Sequence, residues 1–251
     1  MHTLIKTPSE IGYIRHAARL LASALEYIHS LVRVGCTSLQ LDAAFAEYVG
    51  ARGGKPAFKE YKGFPGNICV SVNQQVVHGI PGAGAFQAGD IVSVDAGVEY
   101  EGFFADAART WILAPAPQSS VSLVEYTRKA LLHVREQIFA GHRLGDISFL
   151  IEQFALAHNL TVVKALGGHG IGRQLHEAPK IMNFGPPGIG PRLEQGMVLA
   201  LEPIFTTGSG ELVRMDDGWT VCTKDNAPAS HWEETMLLGP SGFEFLTQAV
   251  E

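Results

Sequence analysis

Val92-Ser93-Val94-Asp95-Ala96-Gly97-Val98-Glu99-Tyr100-Glu101-Gly102-Phe103-Phe104-Ala105-Asp106-Ala107 reads as two strands joined by a turn. Val92, Val94 and Val98 fall at the two-residue period of a strand, and the chain must reverse near Tyr100-Glu101-Gly102. A hairpin folded between Tyr100 and Glu101 places Asp95 directly opposite Asp106. Opposed side chains share one sheet face roughly 5 Å apart. Two carboxylates there repel unless a cation lies between them. A divalent metal meets that need; the alternative is that one aspartate is a solvated turn residue.

On the amino-terminal side of this hairpin lie two helical patterns. Ile11, Ile14, Ala18, Leu21, Leu25 and Ile28 form one stripe over residues 9 to 33, with a start at Ser9-Glu10 after Pro8 and a stop at Gly35. Thr37 or Ser38 caps a second helix carrying Leu41, Phe45, Tyr48 and Val49, which Gly53-Gly54 ends. The plan recurs beyond the hairpin. A helix opens at Ser119 or Ser120 and runs through Leu123, Tyr126, Leu131 and Ile138 to Gly141, and Asp146 caps another with Ile147, Ile151 and Phe154 inward. Shifted by 106 positions, Gly141 falls on Gly35, Ile147 on Leu41 and Ile151 on Phe45, a faint internal duplication that chance pairing of amphipathic helices could also produce. Strand-like stretches cover 68–77, 91–111, 161–165, 198–205, 220–224 and 231–238. Helices followed by runs of strands indicate an α+β fold. No composition break appears, so residues 1–251 are expected to form one domain.

Composition narrows the function classes. A net charge of −6 with scattered basic residues argues against nucleic acid as a partner, because phosphate binding needs clustered Lys and Arg. No apolar run nears the roughly 18 residues of a membrane span, and the first residues lack a secretory layout. Cys36, Cys69 and Cys222 are too dispersed for a disulfide framework. A soluble, cytoplasmic protein is expected.

Further chemistry gathers in the second half. Gly167-Gly168-His169-Gly170-Ile171-Gly172-Arg173-Gln174-Leu175-His176 brings two imidazoles beside glycines that allow close backbone approach; it lacks the Walker ending and the GxGxxG spacing. Glu202 interrupts Leu199-Ala200-Leu201-Glu202-Pro203, where a buried charge needs a partner, either a metal or an Arg. Glu233 and Glu234 open another apolar strand, and alternation cannot say which faces inward. His78, alone after Val76-Val77, reads as structural. Asp95, Asp106, His169, Glu202 and one of Glu233 or Glu234 make a carboxylate-rich, one-imidazole set. Such a set suits Mn, Fe, Co or Zn and fits two bridged ions that acidify a shared water.

These residues resemble the bacterial-type methionine aminopeptidases of the pita-bread metallopeptidase superfamily (peptidase family M24). The likeness runs from Ile5-Lys6-Thr7-Pro8 to Glu244-Phe245-Leu246-Thr247 and rests on Asn67-Ile68-Cys69-Val70-Ser71-Val72-Asn73, Val77-His78-Gly79-Ile80-Pro81, the two aspartates, Gly168-His169-Gly170-Ile171-Gly172 with His176-Glu177, Leu201-Glu202-Pro203 and Asp217-Gly218-Trp219-Thr220-Val221. The resemblance implies two pseudo-twofold related halves with antiparallel sheet covered by helices. It implies a hydrolase that removes amino-terminal methionine before a small second residue. Its metal ligands are then Asp95, Asp106, His169, Glu202 and Glu233, holding two divalent ions (Co, Mn, Fe or Zn). Glu202 also moves the proton, His78 and His176 bind the scissile amide and oxyanion, and Tyr61, Phe64, Cys69 and Trp219 line the methionine pocket. The short bacterial form fits, with no zinc-binding extension. Nascent chains are the implied substrate, the ribosome a candidate partner and a monomer the default state.

Several positions depart from the pattern. Lys62 stands where a histidine is common, Phe58 for a cysteine, Leu175 for an aromatic, Ala107 for a threonine and Glu234 for a histidine. Two other readings therefore stay open, an aminopeptidase with a different first-residue preference and a non-catalytic peptide-binding scaffold.

Overall fold

In the computed structural model, which describes residues 4–248, the helical stripes become four helices: α1 (Pro8–Leu31), α2 (Ser38–Gly50), α3 (Gln118–Gln137) and α4 (Leu144–Ala157). α2 starts after Thr37 as expected, α1 and α3 start one or two residues early, and α4 starts three residues early. Thr7, ahead of Pro8, caps α1: Glu10 N–H donates to Thr7 Oγ1 and Thr7 N–H donates to Glu10, a reciprocal box that satisfies two end donors. Thr37 and Gln40 do the same for α2. Asp146 lies inside α4, its carboxylate accepting from Arg143 N–H at 2.7 Å, and α3 begins at Gln118 after Pro117.

The duplication survives in three dimensions. α1 ends at Leu31 and α3 at Gln137, and α2 begins at Ser38 and α4 at Leu144, so both boundaries repeat at the same interval of 106. Each short helix is preceded by an isolated bridge, Thr37 to Ala85 and Arg143 to Arg192. α1 and α2 cover the first hairpin, with Ile14, Leu21, Leu41 and Phe45 in one core with Val92, Val94 and Val98. α3 and α4 cover the second half, where Leu123, Leu131, Ile147 and Ile151 pack with Leu199, Leu201, Met236 and Leu238. The sheets between are antiparallel. One joins Lys55–Pro56, Cys69–Val72, Ile91–Tyr100 and Phe103–Ile112; a five-stranded one runs Gly242–Phe245, Glu234–Gly239, Val198–Leu201, Gly167–Gly170, Glu177–Met182. This is the pita-bread arrangement.

The hairpin register corrects the sequence reading. Its turn is Glu101-Gly102, both at positive φ, so Gly97 faces Asp106 and Asp95 faces Ala108. Asp95 and Asp106 are diagonal neighbours. A shift of two positions preserves the strand's parity, so both still share a face. Val92, Val94, Ala96, Val98, Ala105 and Ala107 join the helix-covered core, which leaves the two aspartates on the opposite side.

Other expected strands are interrupted. The 68–77 stretch divides at Asn73 (φ 57°) into Cys69–Val72 and Gln75–Val77. The 198–205 stretch breaks at Glu202-Pro203, between Val198–Leu201 and Ile204–Thr206, and the 231–238 stretch breaks at Trp232-Glu233, between Ala229–His231 and Glu234–Gly239. The glycine-rich segment holds a strand, Gly167–Gly170, paired on both sides. No helix among the described residues is long and apolar enough to cross a membrane.

Candidate metal centre

Three supports fix the walls of the site. The Asp42 carboxylate of α2 accepts from Asn67 N–H (2.6 Å) and Ile68 N–H (3.1 Å), holding the segment that leads into Cys69. Gly168 lies so close to the neighbouring strand that a Cβ there would come within 2.2 Å of the Ala200 carbonyl oxygen. This close approach brings His169 beside the end of the 198–201 strand. A buried ion pair, Lys6 to Glu177 at 2.5 Å, ties the residue after His176 to the start of α1.

The site residues that the resemblance implied line one cavity of about 240 Å³: Asp95, Asp106, His169, Glu202 and Glu233 with Tyr61, Phe64, Cys69, His78, His176 and Trp219. Asp106, His169 and Glu233 offer ligand atoms all within 4.8 Å of one another. His169 Nε2 lies 3.8 Å from Asp106 Oδ2 and 3.9 Å from Glu233 Oε1, and its Nδ1 is 2.9 Å from the Gly170 carbonyl oxygen. With Nδ1 donating to that carbonyl, the lone pair on Nε2 faces the carboxylates. Asp95 and Glu202 complete the acidic set.

Electrostatics make the cluster anomalous without a cation. Burial pushes Asp95 up to about 7 and Glu202 up to about 8, the latter also through the Asp95 charge. Burial and the neighbouring carboxylates drive Asp106 and Glu233 well above the usual range. Asp95 Oδ1, Asp106 Oδ1 and Glu233 Oε1 are buried with no hydrogen-bond partner. Buried carboxylate oxygens are ordinarily satisfied, and a set of unpaired acceptors converging with one imidazole fits divalent cations of intermediate hardness.

Glu234, the other member of the ambiguous pair, faces away. Its carboxylate meets Arg109 Nη2 at 3.0 Å and accepts from Thr247 Oγ1. The departure at 234 is thus a buried ion pair, and it leaves Glu233 for the cavity.

The aromatic wall is built by contacts. Tyr61 stacks on His176 with its hydroxyl 3.0 Å from Nδ1, and Phe64 meets the Trp219 ring edge-on at 5.2 Å. His78, expected on its own to be structural, has φ 59° and stands edge-on to Trp219. Gly79 beside it is where a Cβ would fall 2.1 Å from the Val70 carbonyl oxygen. Phe58, Lys62 and Leu175, three of the departures, line the same cavity. Burial lowers His176 to about 3, helped by neighbouring His169 and Lys62, so its imidazole is neutral.

One titratable cavity residue escaped the sequence reading. His231 is buried, with Nε2 3.6 Å from Glu202 Oε2 and 3.7 Å from Glu233 Oε2. A signal was present: in the expected 231–238 strand, positions 231 and 233 share parity and so one face.

Comparisons with known proteins agree with this geometry. The model of metallopeptidase family M24 matches residues 12–239. A methionine aminopeptidase of Clostridium perfringens is 41% identical over 97% of this chain and 98% of its own length. One from Bacillus subtilis is 38% identical over 98% and 99%. The crystal structure of a methionine aminopeptidase from Thermotoga maritima superposes with a TM-score of 0.96 at 40% identity, covering 97% of this chain and 98% of that one. A prolidase from Pyrococcus furiosus, 20% identical with a TM-score of 0.78, shares the fold. The chain belongs to metallopeptidase family M24, in its methionine aminopeptidase branch.

Proposed function

We propose that this chain is an aminopeptidase that hydrolyses the first peptide bond of polypeptides beginning with methionine and a small second residue, using two divalent ions (Mn, Fe, Co or Zn). The observation that carries the reading is the convergence of five side chains, with unpaired buried oxygens among them, in a cavity lined also by aromatics and three further histidines. Asp95, Asp106, His169, Glu202 and Glu233 would hold the ions. Bound there, divalent cations supply Lewis acidity and bring the pKa of a water toward neutrality.

The protein's own groups supply positioning and proton transfer. Glu202, a buried carboxylate lining the cavity, would take the proton and return it to the leaving amine as general base and acid. With the Tyr61 hydroxyl donating to His176 Nδ1, the ring proton sits on Nε2, available to the oxyanion that develops at the scissile carbonyl. His78 serves the amide on the other wall. Phe64, Trp219 and Cys69 offer aromatic and sulfur surface that suits a thioether side chain. Nascent chains in the cytoplasm are the substrates in this reading, with the protein acting as a monomer.

The test is cleavage of Met-Ala-Ser with added Mn(II) or Co(II). The wild type is expected to release methionine and Asp106→Ala to release none; full activity in that variant would remove the centre from the reaction.

A further inference from the structure

The Glu202 carboxylate is poorly supported for a group asked both to hold an ion and to carry a proton. Its backbone carbonyl accepts from Asn183 Nδ2 at 2.7 Å. Its carboxylate, among the described residues, accepts no hydrogen bond, and the strand ends at the preceding Leu201. Glu233 is better held: its N–H donates to the Ala108 carbonyl, Ala108 N–H donates back, and Arg109 Nη1 donates to its carbonyl at 2.7 Å. Opposite Glu202 stands His231, whose Nε2 is buried with no partner. Its backbone is pinned on both sides, Thr110 Oγ1 donating to its carbonyl at 2.6 Å and accepting from its N–H at 3.2 Å. A fixed imidazole thus aims an unpaired nitrogen between two carboxylate oxygens at 3.6 and 3.7 Å. Both are acceptors, so the proton belongs on Nε2.

We infer that His231 is a positioning residue that donates from Nε2 to Glu202 and holds its carboxylate in the orientation the loaded centre needs. Hydrogen bonds in catalytic centres are often long before ligands bind and tighten on binding. Groups of this kind change metal affinity 10- to 100-fold. The inference rests on the reading of the carboxylates as a metal cage.

Its test is Mn(II) titration of the full chain by calorimetry, with melting temperatures of the metal-free proteins alongside. His231→Leu, which removes the donor, is expected to weaken Mn(II) binding about 10- to 100-fold beyond any change in melting temperature. His231→Gln, whose amide nitrogen ends at a similar reach, is expected to restore it. His231→Ala serves as the donor-less variant if the leucine protein does not fold. Wild-type affinity in the donor-less variant overturns the inference. So does a glutamine variant as weak as the leucine one, which would mark the imidazole as a direct ligand. A wild type that binds no Mn(II) removes the cage as well.

Discussion

Arg109 donates from Nη2 to the Glu234 carboxylate at 3.0 Å, and from Nη1 to the Glu233 carbonyl at 2.7 Å. One guanidinium thereby fixes the direction of two consecutive glutamates, away from the cavity for Glu234 and into it for Glu233. Trp232, the residue before them, lies against the same guanidinium at 4.9 Å.

Removing one side of this buried pair leaves an uncompensated charge. Arg109→Met is expected to lower unfolding free energy by about 3–5 kcal/mol, measured by urea denaturation. The double change Arg109→Met with Glu234→Met is expected to lose much less than the sum of the single changes, because the pair couples. Additive losses would mean the contact does not form.

How much of this was legible beforehand depended on how local the cause was. The hairpin and helices follow from periodicity over a few residues, and an error of two in the register left Asp95 and Asp106 on the correct face because parity survives it. The Glu233 or Glu234 choice turns on a partner more than a hundred residues away, which alternation cannot supply. His78 read alone as structural because its company, Trp219 and the Gly79 contact with Val70, exists only in the fold. The breaks at Glu202-Pro203 and Trp232-Glu233 read as continuous strand because propensity follows side chains, whereas Glu202 and Glu233 lie outside the ladders and line the cavity.

The metal-free protein should lose stability as pH rises from about 6.5 to 8.5. Asp95 and Glu202 are raised in the folded state to about 7 and about 8 from ordinary values near 3.8 and 4.5. Their stabilising protons are fully bound below the unfolded values and are lost through the folded ones. His176 and His231, both lowered by burial to about 3, act oppositely but only below about 6.5, so they do not mask the effect. Melting temperature against pH, with chelator and with Mn(II), checks this: a fall with chelator that Mn(II) abolishes is expected, and a flat metal-free profile contradicts it.

Gly168→Ala places a Cβ 2.2 Å from the Ala200 carbonyl oxygen, so the strand bearing His169 must move. A loss of about 1–3 kcal/mol is expected from overpacking, accompanied by weaker metal binding because His169 shifts with its strand. Unchanged Mn(II) affinity in a destabilised variant would separate the glycine's packing role from the site.

The altered cavity wall bears on substrate choice. With Phe58 and Leu175 in the lining, a panel of Xaa-Ala-Ser tripeptides is expected to show methionine cleaved with the highest kcat/KM. Leu175→Phe should change the ranking of other first residues more than it changes metal affinity. Clear preference for a different first residue in the wild type would replace methionine in the proposed reaction.

The most direct measurement is a crystal structure of the Mn(II)-soaked protein with anomalous difference maps recorded near the manganese edge. Two peaks are expected, roughly 3.5–4 Å apart, contacting Asp95, Asp106, His169, Glu202 and Glu233 and no other side chain directly. An empty map at these carboxylates, or peaks bound elsewhere, would contradict a dinuclear hydrolytic centre in this fold.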